Sequence, residues 1–333
     1  MIGLLRFLLA TDIVSFHMGP LLGITLISGM QAVPAFFVIS GFFAALVLNE
    51  KYDNNAVQFF KKRLIRLYPI YIISSALIIL STAYLVILNK ESLIHFFLGF
   101  DKPAVVAIKI FTDLTMTSGL MVMLAHGGVF NQSGIGLMVK SVIPNSWFLL
   151  VILIFYIIAP HIVKRNIIIL IVLAIGLYET RYLLQYVLKL DYMIWVYYSP
   201  LFNLSYCVMG IIAYRIHMVI KKKIDIPKWS TYIALAAIVI YILIHPFGTN
   251  ELPFVGLIAL CLPSLLRGNL QFSYLGALSY PMFLCHWHVF VFLSRFVIIP
   301  KYYQSLIILI VTIIISIIIL YIEKMIKRNF TQG

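Results

Sequence analysis

Apolar residues fill this chain in long blocks, with polar positions confined to the gaps between them. Such blocks lie near residues 2–24, 30–49, 66–88, 147–163, 166–180, 198–217, 231–248, 252–266, 275–298 and 303–325. A helix rises about 1.5 Å per residue, so about 20 apolar residues cross a hydrocarbon core about 30 Å thick. The second, ninth and tenth blocks have the length and continuity of membrane helices, while the fifth and eighth are short. Residues 104–126 are weakly amphipathic, a pattern that suits an eleventh, buried or interfacial helix. The last block carries the β-branched run ValThrIleIleIleSerIleIleIleLeu at 311–320. In water such a run favours a strand; in lipid a spanning segment must satisfy its own backbone, and a helix does so. No repeat or low-complexity linker interrupts the series. The pattern predicts an all-α polytopic bundle of about ten transmembrane helices, forming a single integral-membrane domain over residues 1–333.

Composition supports lipid as the solvent. Charged residues make up 11% and hydrophobic residues 63%, against about 25% and 45–50% in soluble domains. Mean hydropathy is +1.05. These values exclude a soluble enzyme, a disordered chain and a disulfide scaffold. Cys207, Cys261 and Cys285 are far apart in apolar stretches and read as small buried hydrophobes. No small-x-small cleavage pattern follows the first block, which reads as a retained span.

The net charge of +14 reflects topology. With both termini cytoplasmic and ten spans, the cytoplasmic segments hold 16 of the 25 Lys and Arg residues. The opposite side holds eight, and Arg6 lies within the first span. This bias follows the positive-inside rule. The basic character therefore points to contact with membrane lipids and to no nucleic-acid partner.

The first block contains Arg6, Asp12 and His17. Ionisable groups inside a span are costly and mark function. Arg6 and His17 are 11 positions apart, which is three turns plus about 20°, so they share a face about 16 Å apart along the axis. With Arg6 at a membrane rim, His17 is expected near mid-membrane. A neutral imidazole there accepts a proton from an attacking hydroxyl, the work of a general base. A helix–helix hydrogen bond is the plainer role for His17, and snorkelling to lipid phosphate the plainer role for Arg6. Asp12 lies about 140° away from His17 around the helix and does not share its face.

A second group, PheLysLysArgLeuIleArgLeuTyrPro, precedes the third block. Arg63 and Arg66 stand i, i+3 on one helical face. Two guanidinium forks side by side suit the phosphates of a ligand or of lipid headgroups. His95, His126, His161, His217, His245 and His288 have no supporting spacing, and no metal site is expected. The Gly-rich stretch 126–136 and the aromatic stretch 181–198 both fall on the external side. The first reads as a flexible or re-entrant loop. The second reads as an interfacial belt or a sugar-stacking surface.

Several segments in order carry a resemblance. They are ArgPheLeuLeuAlaThrAspIleValSerPheHis in the first helix, AlaPhePheValIleSerGlyPhePhe at 35–43, and PhePheLysLysArgLeuIleArgLeuTyrPro at 59–69. AsnSerTrpPheLeu opens at 145, and LeuGlyAlaLeuSerTyrProMetPheLeuCysHisTrpHis spans 275–288. Together they resemble the acyltransferase-3 family, polytopic O-acyltransferases of envelope polysaccharides. The resemblance implies His17 as the catalytic histidine, with Arg6 on the donor path. It implies that Arg63 and Arg66 bind the phosphates of acyl-CoA, with acetyl-CoA the expected donor. Ser40, Gly41, Trp147, Ser279, Tyr280 and His286 become supporting or substrate-binding residues. Many members carry Trp-Ser-Leu followed closely by a Glu; here Phe148 follows Trp147, and Ile152 stands where the Glu would be. That leaves Asp12, Asp113 or the substrate to orient His17.

The implied activity is a membrane O-acyltransferase of the inner (plasma) membrane, taking an acyl group from cytoplasmic acyl-CoA to a glycan or lipid-linked saccharide hydroxyl. No permanently bound cofactor is expected. A glycan exporter without acyl chemistry, or a non-catalytic lipid-binding protein, are the other readings of the same chain.

Overall fold

The structure, a computed structural model, describes residues 1–24, 26–89, 111–117, 147–190, 193–245, 250–268 and 272–331. The Gly-rich stretch 126–136 lies outside them, and of the amphipathic stretch 104–126 only 111–117 is described.

Ten long helices carry the described residues: α1 (Ile2–Met18), α2 (Gly29–Glu50), α3 (Ala56–Leu88), α4 (Trp147–Ile162), α5 (Ile167–Tyr182), α6 (Pro200–Lys223), α7 (Ser230–Ile244), α8 (Leu252–Leu266), α9 (Ser273–Phe296) and α10 (Lys301–Thr331). Short π-helical segments at Leu183–Val187 and Met193–Tyr197 connect α5 to α6. Among the described residues six helices are long and apolar enough to cross a membrane: α2, α3, α5 with its π-helical extension, α6, α9 and α10. α4, α7 and α8 are shorter apolar helices. The elements of the described residues are all helical, and the chain is a multi-pass membrane protein. Broad apolar faces remain on its outside, such as Ile168, Val172 and Ile175 of α5, as lipid contact requires.

Local chemistry sets the ends. α1 stops at Met18, short of the expected residue 24, because Gly19 takes φ +100° and Pro20 follows. α3 begins ten residues before its apolar block. The Asn55 side chain accepts the Gln58 amide at 2.9 Å and starts the helix there. The basic segment 61–66 is therefore helical and continuous with the span. At 33 residues, α3 is about 50 Å long and outreaches the hydrocarbon core.

Successive helices alternate in direction. Ile2 and Lys327 line one cavity, so the start of α1 and the end of α10 share one end of the bundle. Arg215 near the end of α6 donates to the Val163 carbonyl at 2.7 Å beside the end of α4, and Arg267 pairs with Asp225 at 3.3 Å at the same end. At the opposite end Ser305 of α10 donates to the Gly19 carbonyl. Glu251, which precedes α8, gathers Tyr178 of α5 at 3.0 Å, Tyr206 of α6 at 2.9 Å and Arg181 at 3.4 Å on one carboxylate oxygen. A buried carboxylate needs such donors, and here they tie three helix ends together.

Glycine permits the closest crossings. A Cβ on Gly41 of α2 overlaps the Cys207 carbonyl of α6, and one on Gly210 of α6 overlaps the Val38 carbonyl of α2. Gly3 of α1 and Gly276 of α9 meet in the same way. Backbone-to-backbone approach at small residues is how membrane helices gain packing energy without a hydrophobic drive between them. Gly41→Ala is expected to lower stability by about 1–3 kcal/mol through overpacking, measured as a reduced Tm in detergent. Gly176→Ala, where nothing lies within 4 Å of the new atom, is expected to leave it unchanged.

Candidate active site

A cavity of about 610 Å³ lies at the end of the bundle shared by the two terminal helices. Four cationic side chains line it: Arg6 from α1, Arg63 and Arg66 from α3, and Lys327 from α10. Glu323 is the single carboxylate among the described lining residues, and Lys327 donates to it from one turn away. The guanidinium of Arg63 lies against the rings of Phe59 and Tyr156, 5.1 and 5.7 Å from their centroids. Its Nη2 is buried without a hydrogen-bond partner. A desolvated guanidinium N–H costs more unpaired than any net gain from a typical hydrogen bond. An anion entering the cavity satisfies it and offsets the like-charge crowding.

The walls above this cationic end are apolar and aromatic. Ser40 of α2 and Ser279 and Tyr280 of α9 are the neutral polar contributions from the expected site. Ser279 donates to the Gly276 carbonyl at 2.8 Å and Tyr280 to the Leu67 carbonyl at 3.4 Å, so Tyr280 joins α9 to α3 at the wall. Pro281 has no N–H to give the Ala277 carbonyl, and Ala277 lines the cavity.

At the deep end, three helices each contribute a phenylalanine as their last lining residue: Phe36 of α2, Phe148 of α4 and Phe283 of α9. The Phe148 ring is 5.1 Å from Phe283 and 6.4 Å from Phe36, and it stacks on Phe37 at 4.5 Å. One turn further along α9 stands His286, fully buried, its ring 6.3 Å from Phe283. His17 stacks on His286 at 5.3 Å and meets Trp287 edge-on at 5.8 Å. His286 Nδ1 faces the Met282 and Phe283 carbonyls at 3.2 and 3.0 Å. Carbonyls only accept, so Nδ1 carries the hydrogen, and in the neutral ring Nε2 keeps its lone pair. That Nε2 is buried without a partner.

The expected residues thus divide into two groups. Arg6, Arg63, Arg66, Ser40 and Tyr280 share the cavity. His17 and His286 form a pair beyond its aromatic end and do not line it. Arg6 and His17 remain three turns apart on α1, but α1 ends at Met18, which leaves His17 exposed in the last turn instead of central in a longer span. Trp147 is packed among Phe37, Tyr197 and Tyr198 and wedges the start of α4. Gly41 serves the α2–α6 crossing. Asp12 is buried in α1, its Oδ2 unpartnered. Asp113 offers its backbone carbonyl to the Tyr71 hydroxyl at 2.8 Å. The rings against His17 are Phe16, His286 and Trp287.

Several lining residues were not singled out by sequence reasoning. Tyr156 is one tyrosine among 20, and only the fold brings its ring to Arg63. Lys327 and Glu323 were legible as an i, i+4 pair, but the same signal suits any membrane-flanking helix end. Phe148 and Ile152 stood out only as departures from a pattern, and both line the cavity.

A family model described as an acyltransferase domain matches residues 2–321. Neither a curated protein nor a solved structure matches the chain.

Proposed function

The chain belongs to the acyltransferase-3 family, and we propose that it is an inner-membrane O-acyltransferase that moves an acyl group, acetyl in the first instance, from cytoplasmic acyl-CoA to a hydroxyl of a cell-surface or lipid-linked glycan. The observation that carries this reading is the cavity with Arg6, Arg63 and Arg66 at one end and an apolar wall beyond them. Coenzyme A pairs a phosphorylated nucleotide with a long uncharged arm ending in a thioester. Guanidinium groups match the first part, and the largely apolar walls match the second.

The orientation that this reading needs places the cationic end in the cytoplasm, ten spans in the membrane and both termini on that side, in line with the positive-inside bias. The His17–His286 pair then belongs to the opposite half of the bundle, where a glycan arrives. In the reaction the acceptor hydroxyl gives its proton to an imidazole as its oxygen bonds to the thioester carbonyl carbon. The carbon–sulfur bond breaks, the sulfur leaves with the electron pair as the coenzyme A thiolate, and the proton returns to it. His17 is the base exposed to the acceptor. His286, whose Nε2 has a free lone pair in its neutral form, is the second ring of the pair. Tyr280 and Ser40 are the cavity hydroxyls placed to position the thioester arm.

His17→Ala is expected to abolish acylation of the surface glycan while the protein still accumulates in the membrane, read by mass spectrometry of glycans from cells with and without the variant. Unchanged acyl content in the variant removes His17 from the chemistry. Glycan retained inside a deletion strain with its acyl groups intact identifies an exporter instead. Arg63→Glu with Arg66→Glu is expected to weaken acyl-CoA binding by at least tenfold in detergent, measured by calorimetry. Equal affinity reassigns both arginines to lipid headgroups.

A further inference from the structure

The cavity and the histidine pair are adjacent along α9, and what divides them is specific. The lining of each helix runs from the cationic end to a single limit. On α9 the limit is Phe283, one turn short of His286. On α4 it is Phe148, and on α2 it is Phe36. The three rings converge, with Phe148 in the middle at 5.1 and 6.4 Å from the other two. Phe148 is held from behind by Phe37, and Phe37 by Trp147. The last α1 residue to face the cavity is Arg6, while His17 on the same helix does not line it and stacks on His286.

We propose that Phe36, Phe148 and Phe283 form an aromatic barrier that closes the cation-lined cavity from the His17–His286 pair and limits the size of the acyl group that crosses between them. The proposal rests on the acyl-transfer reading for its chemistry, but the barrier itself is a property of the packing. Phe148 occupies the middle of the layer, its ring 5.1 Å from Phe283 and 6.4 Å from Phe36, and on this proposal the layer keeps the two membrane faces separate around the cation-lined cavity. A thioester arm reaches the imidazoles only by turning the Phe148 or Phe283 side chain aside. A two-carbon acyl group asks for a small displacement and a longer chain for a larger one, in a core where displaced rings have few alternative rotamers. Phe148 and Phe283 are on this account positioning and size-selecting residues, acting through the path and touching no proton.

The test uses the full-length protein in membrane vesicles of each orientation. A Ser40→Cys substitution places a thiol on the cavity side of the barrier, and a methanethiosulfonate reagent bearing a sulfonate group labels it. The three native cysteines are buried, and labelling of the unsubstituted chain is subtracted. The expected result is labelling from the Arg63 face alone. With Phe148→Ala or Phe283→Ala added, labelling from the His17 face is expected to rise at least tenfold. Equal labelling from both faces before either substitution, or none from the His17 face after both, overturns the barrier. If the alanine variants fail to fold, Phe148→Leu removes the ring at similar volume and is expected to give the same change in direction.

In the transfer assay, Phe148→Ala is expected to raise the ratio of butanoyl to acetyl transfer, as kcat/KM, at least fivefold while the KM for acetyl-CoA stays within twofold. A ratio that does not move overturns the size limit. Face-selective labelling together with no acyl transfer by any variant removes the acyltransferase reading and leaves the barrier standing.

Discussion

The fold is organised around the problem of holding several like charges beside an apolar interior. Arg6, Arg63 and Arg66 come from two helices that are otherwise apolar along most of their length, and they meet at one cavity with Glu323 the single carboxylate among its described lining residues. Unpaired guanidinium groups at a membrane boundary raise the energy of the empty protein. The structure tolerates this by stacking Arg63 between Phe59 and Tyr156, and by leaving Arg66 exposed. Neither device supplies an acceptor for the buried Nη2 of Arg63.

The opposite end of the bundle is built on the reverse principle. There Glu251 is buried and satisfied by Tyr178, Tyr206 and Arg181, and Gln31 of α2 donates to the Asn250 carbonyl at 3.0 Å. Those bonds join α2, α5, α6 and α8. The cationic end is cross-linked as well, by Arg215 to the Val163 carbonyl and Arg267 to Asp225, and it differs in leaving the buried Nη2 of Arg63 without a partner. Between them the close crossings of α2 with α6 and of α1 with α9 fix the frame, so that helix positions at the cavity follow from backbone contact and not from long side chains.

The aromatic layer connects the two halves. It takes its residues from three helices distant in sequence, Phe36 of α2, Phe148 of α4 and Phe283 of α9. Phe148 and Ile152 make this part of the α4 wall apolar. Beyond the layer, the rings against His17 are those of Phe16, His286 and Trp287.

Much of this was legible in the residues. Hydropathy blocks located each of the ten helices, because a membrane helix announces itself by local composition, but α3 begins ten residues before its block and α1 stops at Met18, since caps and breakers set the ends. The i, i+3 spacing put Arg63 and Arg66 on one face, and the 11-residue interval fixed how far Arg6 and His17 stand apart on α1, since helical geometry is the same wherever the helix sits. The sequence alone could not say which side of an aromatic layer each of them occupies. That depended on α1 ending at Gly19 and Pro20, and on Phe36, Phe148 and Phe283 arriving from three other helices. Depth and partnership are properties of packing between segments far apart in the chain, and no local period encodes them.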